Sequence, residues 1–132
     1  MKEQLLSAVK DWQQEATMSA KVKFIQRGTN LPLTGPQYTV RLYDKDLFSD
    51  DDYLGHEKLN EQGEATISFR PADIRNHGFG LEEMPDLYVL LFIGDVVHFK
   101  TNVFNDVDFG KQANEFNIHE GCVVDLGTFL VD

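Results

Sequence analysis

Apolar and polar residues alternate with a period of two over much of this chain, and that alternation predicts β-strands. Val40 and Leu42 alternate with polar neighbours across 38–43, as expected of a strand with one buried face. The run 87–93 is almost entirely apolar, which is typical of a strand covered on both faces. These patterns predict strands near residues 21–24, 38–43, 65–70, 87–93, 97–103 and 122–131.

Turn signals separate the alternating runs. Gly94 followed by Asp95 is typical of a tight hairpin, and Gly63 marks a second turn. Gly127 lies inside the last run and indicates a bulge or a close backbone approach. About seven short strands with turns between them predict an all-β fold, an antiparallel β-sandwich.

The start of the chain follows a different period. Leu5, Leu6, Val9 and Trp12 recur at three- and four-residue intervals, which is the spacing of one helix face. Residues 1–18 are therefore predicted to form a short amphipathic helix ahead of a β-sandwich domain of residues 19–132. This helix either covers one end of the sandwich or docks against a partner.

Charge restricts the classes of partner. Acidic residues outnumber basic ones 22 to 12, and the net charge of −10 disfavours nucleic acid and anionic membrane surfaces. The expected partner is another protein or a further copy of this chain. No run reaches transmembrane length, so no membrane insertion is expected, and the charged start does not fit a secretory signal, which predicts a cytoplasmic location.

The single cysteine narrows the chemistry further. Cys122 has no partner for an intramolecular disulfide. Two valines follow it in the sequence, and this setting predicts a small buried residue in preference to a reactive thiol. The histidines are scattered and form no metal-binding pair, so no zinc site and no catalytic residue is expected from them.

The segment from Leu42 to Gly55 carries the densest cluster of candidate ligands. Oxygen-rich clusters of this kind suit calcium, which takes six to eight oxygen ligands. The spacing does not fit an EF-hand, since Gly55 stands where the bidentate glutamate is required. The alternative interpretation is that the carboxylates cap turns and stay solvated. The candidate calcium ligands are Asp44, Asp46, Asp50, Asp51 and Asp52.

Several segments, taken in order, resemble the transthyretin-like and carboxypeptidase-regulatory-like β-sandwich domains. They are 31–46 (LPLTGPQYTVRLYDKD), 51–55 (DDYLG), 60–67 (NEQGEATI), 85–89 (PDLYV) and 124–129 (VDLGTF). The resemblance covers about residues 20–131 and implies a transthyretin-like, or prealbumin-like, sandwich. It also implies an accessory or protein-interaction module, because most members of these families have such functions.

Catalysis by the one enzymatic branch of these families, the hydroxyisourate hydrolases, is not expected. Their closing Tyr-Arg-Gly-Ser signature is absent, since the chain ends with the residues of 128–132 (TFLVD), and their early histidine is missing because the first histidine is His56. The acidic segment is also similar to the calcium-binding loops of C2 domains. There, however, a strand like 85–89 precedes the loop, whereas here it follows it.

The function expected from the sequence is a non-enzymatic β-sandwich interaction module, stabilised by calcium through residues 44–52. Two alternatives stay open. The first is a small hydrolase or carbohydrate-active domain that uses carboxylates and a histidine. The second is a structural subunit of a homo-oligomer that uses the N-terminal helix or an edge strand as its contact.

Overall fold

The computed structural model describes residues 17–46, 50–70, 84–109 and 122–132. Most of the predicted N-terminal helix, residues 1–16, lies outside these ranges, and Met18 already begins the first strand. Of the acidic segment, residues 47–49 also lie outside. No helix within the described ranges has the length and apolar character that crossing a membrane requires.

Within the described ranges seven strands form two sheets, which confirms the prediction of an all-β sandwich. One sheet has three strands in the order β4-β1-β7, and the other has four in the order β3-β2-β5-β6. The strands are β1 Met18–Gln26, β2 Tyr38–Asp44, β3 Asp52–Lys58, β4 Glu64–Phe69, β5 Leu87–Ile93, β6 Val96–Lys100 and β7 Cys122–Val131.

A shared apolar core joins the inner faces of the two sheets. The alternation in β2 places Val40 and Leu42 in this core, both without exposed surface, as the sequence pattern predicts. Val22 and Phe24 enter it from the other sheet. Burying such side chains contributes about 1.5–3 kcal/mol each, so these alternating positions are what hold the sheets together.

One pair of strands departs from the antiparallel prediction. β7 runs parallel to β1, with Met18 opposite Cys122 and Gln26 opposite Val131, while β1 and β4 are antiparallel. The predicted irregularity in the last strand is present, because the register shifts where Val22 meets Gly127. Periodicity shows which face of a strand is buried but not the direction of its neighbour, and this is why the parallel pair was not foreseen.

β3 is the strand that the alternation did not identify. It begins with Asp52 and contains Gly55, two residue types that are depleted in strands. A bulge lies in its ladder with β2, where Leu42 pairs with Gly55 and the next residue of β2, Tyr43, pairs with Tyr53. The extra residue of β3 brings two tyrosines side by side on the outer surface.

β5 is covered on both faces, as predicted, but by two different kinds of neighbour. Its inward side chains Leu87, Val89 and Leu91 belong to the core. Its outward side chains Tyr88 and Phe92 are also buried, at 7% and 8% exposure, yet they lie outside that core. Aromatic and basic side chains of the adjacent strands cover them.

Candidate binding face on the four-stranded sheet

Three rows of side chains point outward from the four-stranded sheet and form what we call the outer face. They follow from strand register, because residues that pair across neighbouring strands point to the same side of a sheet. Row one consists of Tyr53, Tyr43 and Tyr88; row two of His56, Arg41, Leu90 and Lys100; and row three of Lys58, Thr39, Phe92 and Val97.

Row one is an aromatic strip. The rings of Tyr43 and Tyr88 stack with centroids 5.3 Å apart and planes 12° apart, and the Tyr53 centroid lies 5.6 Å from that of Tyr43. His56 continues the strip, because its ring is stacked on Tyr53 and its Nδ1 contacts the Tyr53 hydroxyl. Tyr53 is 49% exposed, so this end of the strip is accessible to a partner.

Cations from row two cover the buried aromatic rings of β5. The Arg41 guanidinium carbon lies 4.4 Å from the centroid of Phe92, and Lys100 Nζ lies 4.9 Å from the centroid of Tyr88. Both distances fall within the range of cation–π attraction, which contributes about 0.5–1 kcal/mol at exposed sites. Arg41 and Lys100 are themselves exposed, so they are held in place without being withdrawn from solvent.

A third cation lies at the edge of the outer face. Lys58 Nζ donates hydrogen bonds to Thr39 Oγ1 at 2.7 Å and to the Pro36 carbonyl at 2.9 Å. These bonds tie the β3 edge to the start of β2. Lys58 therefore adds a third basic side chain to the outer face.

The charge of the outer face is opposite to that of the chain. None of the described strand positions in its three rows is acidic, and they hold Arg41, Lys58 and Lys100 together with His56. The whole chain has a net charge of −10. Asp51 reaches row one from the acidic segment, through its contact with Tyr88. The three cations of the rows outnumber this carboxylate, so the outer face is locally basic.

The acidic segment meets the outer face at row one, through Asp51. Tyr88 donates its hydroxyl to Asp51 Oδ2 at 2.5 Å, and the backbone N–H of Asp46 donates to Asp51 Oδ1 at 2.9 Å. Desolvation by burial acts to raise the pKa of Asp51. The two hydrogen bonds, together with the charges of Lys45 and Lys100, outweigh it and hold that pKa below its ordinary 3.8.

The same contact acts in the opposite direction on the tyrosine. Burial, the hydrogen bond to Asp51 and the negative charge of that carboxylate all raise the pKa of Tyr88 far above its ordinary range. Tyr88 is therefore a protonated donor at neutral pH.

The five candidate calcium ligands are divided between the interior and the surface. Asp44 and Asp52 are strand-register partners and are buried, at 0% and 4% exposure, so the interpretation of solvated carboxylates is wrong for these two. Asp44 Oδ1 accepts the backbone N–H of Asp86 at 3.0 Å. Asp46 and Asp51 are half-buried, and Asp50 is exposed.

Internal donors engage much of this carboxylate cluster. Within the described ranges no group of three or more His, Cys, Asp and Glu side chains is arranged to hold a metal ion. Residues 47–49, which join the two halves of the cluster, are outside those ranges. Calcium binding by residues 44–52 therefore stays a prediction.

Two of the four histidines lie in the described ranges, and both are exposed. His56 contacts the Tyr53 hydroxyl, and His98 Nε2 lies 2.9 Å from the main-chain oxygen of Asp132. Cys122 begins β7, and its burial stays a prediction.

The sequence patterns did not identify the outer face as a site. Arg41 and Tyr43 were recognised only as the polar side of β2, and the apolar run of β5 concealed that Tyr88 and Phe92 face outward. A usable signal was present: basic and aromatic residues occupy alternate positions of 39–43 in an otherwise acidic chain.

Comparison with known proteins gives a likeness of fold. No family model matches the chain, and no curated protein matches it. The solved structure of a 9R-lipoxygenase from Cyanothece PCC8801 is similar, with a TM-score of 0.60 and 20% sequence identity. The match covers 97% of this chain but 20% of the lipoxygenase chain, so it extends over about a fifth of that protein. At this identity the likeness shows a shared fold alone.

Proposed function

We propose that this chain is a non-enzymatic β-sandwich module that binds a macromolecular partner through the outer face. The observation that carries the proposal is the basic and aromatic composition of the three outward rows on a chain of net charge −10. Tyrosine and arginine are enriched at protein interfaces, where they supply most of the binding energy.

The order of these side chains before binding also supports the proposal. Arg41 lies on Phe92 and Lys100 lies on Tyr88. Tyr43 lies between two other tyrosines, stacked on Tyr88 and tilted against Tyr53. Side chains that are already held in one geometry lose less conformational entropy when a partner binds. A face that is ordered in this way and still partly exposed is suited to recognition.

Photo-crosslinking from defined positions tests this proposal. A benzophenone amino acid replaces Tyr53, which is 49% exposed on the outer face, and in a matched control it replaces Leu130, which is 42% exposed on the three-stranded sheet. In extract of the native cells we expect a crosslinked partner from position 53 and none from position 130. Crosslinking from position 130 alone would overturn the proposal.

The same experiment addresses the homo-oligomer alternative. A product of twice the mass of the chain, formed from position 53 by the purified protein, would show that the partner is a second copy. The hydrolase and carbohydrate alternatives stay hypotheses, as do the transthyretin-like assignment and the stabilisation by calcium.

A further inference from the structure

We infer that the partner presents a short acidic peptide segment to the outer face; this inference rests on the function proposed above. Charge complementarity carries it. Row two places Arg41, Lys100 and His56 in one line across the sheet, and Lys58 adds a cation in row three. A segment rich in Asp or Glu supplies the matching carboxylates.

The donors of row two are directed outward. Arg41 is exposed while its guanidinium lies over the ring of Phe92 at 4.4 Å, and a stacked guanidinium keeps its N–H edge free to donate. A carboxylate can accept two hydrogen bonds from that edge, which gives directional as well as electrostatic recognition. Lys100 adds a second exposed cation on the neighbouring strand pair.

The size of the outer face limits the length of the segment. Three rows extend about 13 Å along the strands, and four strands extend about 14 Å across the sheet. About five residues of extended chain span about 16 Å, so a segment of this length covers the face. It would meet the cations of rows two and three and the tyrosines of row one within a single contact.

The acidity of the remaining surface favours a short segment over an extended polyanion. Charges more than about 8–10 Å apart are largely screened at physiological salt, so a peptide on the outer face senses mainly the local cations. Nucleic acid or an anionic bilayer extends past the face and meets the surface that carries the net charge of −10. Repulsion there opposes binding of either.

Fluorescence anisotropy with labelled hexaglutamate tests the inference on the full chain. We expect binding of hexaglutamate and none of hexaglutamine. Replacing one cation, as in Arg41→Gln or Lys100→Gln, is expected to weaken binding about two- to fivefold, and the double replacement about tenfold. Lys23→Gln removes the same charge from the three-stranded sheet and is expected to change nothing.

A charge-retaining variant separates loss of charge from loss of folding. Arg41→Lys keeps the positive charge but loses the planar guanidinium that lies over Phe92 and can donate two hydrogen bonds to a carboxylate. It is therefore expected to bind hexaglutamate more tightly than Arg41→Gln does and more weakly than the unaltered chain does. If all replacements on the outer face weaken binding equally, Arg41→Lys included, and the circular dichroism spectrum is altered, the effect is unfolding. Hexaglutamate affinities that respond to Lys23→Gln as strongly as to Arg41→Gln would overturn the inference.

Two further probes distinguish failure of the inference from failure of the proposed function. Tighter binding of hexathymidylate or of phosphatidylserine vesicles than of hexaglutamate, with the same dependence on Arg41, would overturn the acidic peptide but leave the binding face. The same conclusion would follow if hexaglutamate did not bind while position 53 still crosslinked a partner. If hexaglutamate did not bind and position 53 crosslinked no partner, the inference and the proposed function would both be overturned.

Discussion

The Tyr88 hydroxyl connects two parts of the molecule that the sequence keeps well apart. It belongs to row one of the outer face, and it donates to a carboxylate of the acidic segment. The Asp51 side chain thus fixes the segment between β2 and β3 to β5. Without this bond the segment would be held at Asp51 by the backbone N–H of Asp46.

Tyr88→Phe is expected to lower the free energy of unfolding by about 1 kcal/mol, because one hydrogen bond to a charged, half-buried carboxylate is lost. Urea denaturation at neutral pH measures the change. Tyr43→Phe is the matched control: it removes a hydroxyl from the neighbouring ring, which stacks on Tyr88. An equal loss in both variants would contradict the importance of the bond to Asp51.

The direction of the pH dependence follows from the lowered pKa of Asp51. A carboxyl whose pKa is lower in the folded state stabilises the fold fully above its ordinary pKa of 3.8. That stabilisation is lost as the pH falls below 3.8 and through the folded-state pKa. We expect Tyr88→Phe to raise the pKa of Asp51, as measured by NMR titration of its carboxyl carbon, and so to reduce this part of the acid dependence.

Individual residues also show which burial states a sequence pattern can predict. Alternation correctly placed Val40 and Leu42 in the core, because their polar neighbours left one face to be buried. It could not predict that Asp44 and Asp52 are buried, since a carboxylate in a sequence suggests solvent. The burial of Asp44 is accompanied by a hydrogen bond from the Asp86 N–H, a donor distant in the sequence that no local pattern reveals.

The turn between β3 and β4 carries the chain from the four-stranded sheet to the three-stranded one. The Asn60 side-chain oxygen accepts the N–H groups of Gln62 and Glu64, each at 2.9 Å. The Gly63 carbonyl accepts the N–H of Phe24 at 2.8 Å, which ties the turn to β1. Gly63 has a φ of +74°, in the left-handed region that favours glycine.

Gly63→Ala is expected to be much more destabilising than Gly94→Ala. Both residues have positive φ, which costs an alanine about 1–2 kcal/mol. A Cβ at position 63 would also lie 2.5 Å from the Phe24 carbonyl oxygen, whereas one at position 94 would meet nothing within 4 Å. This clash adds about 1–3 kcal/mol. Urea denaturation of both variants measures the difference. Equal losses in the free energy of unfolding would contradict the close approach of Gly63 to the Phe24 carbonyl oxygen.

The calcium hypothesis belongs to the segment between β2 and β3. If residues 44–52 bind calcium, millimolar calcium must raise the melting temperature relative to chelator, because binding to the folded state alone stabilises it. Asp50→Asn, at the exposed member of the cluster, should then reduce the shift. Thermal unfolding followed by circular dichroism measures the shift in melting temperature. A melting temperature that is the same in calcium and in chelator would contradict the calcium hypothesis.

At the scale of whole strands, the sequence predicted strands with regular alternation and missed the one without it. β2, β4 and β5 lie within about two residues of their predicted positions. β3 was missed because Asp52 and Gly55 interrupt the pattern, and its contribution of Tyr53 and His56 to the outer face was missed with it. The binding face depends on register between strands, and single-strand patterns carry no information on that register.

The whole molecule separates its charges by surface. Its acidic excess is expected to oppose association with polyanions, while the outer face collects Arg41, Lys58 and Lys100. Composition predicts this repulsion but conceals the basic outer face, because a net charge averages over every face. The fold shows where the charges lie, because strand alternation places each charged residue of a strand on one side of its sheet.

Stretching the domain between the start of β1 and the end of β7 would load their ladder in shear. These strands are parallel, so Met18 and Val131 lie at opposite ends, about 26 Å apart along the strands. Pulling between them strains all the β1–β7 hydrogen bonds at once. Pulling between Met18 and Phe69, register partners in an antiparallel pair, opens bonds one by one. Force spectroscopy should therefore give a higher unfolding force for the first pair, making this sandwich mechanically strong along its strands and weak across them.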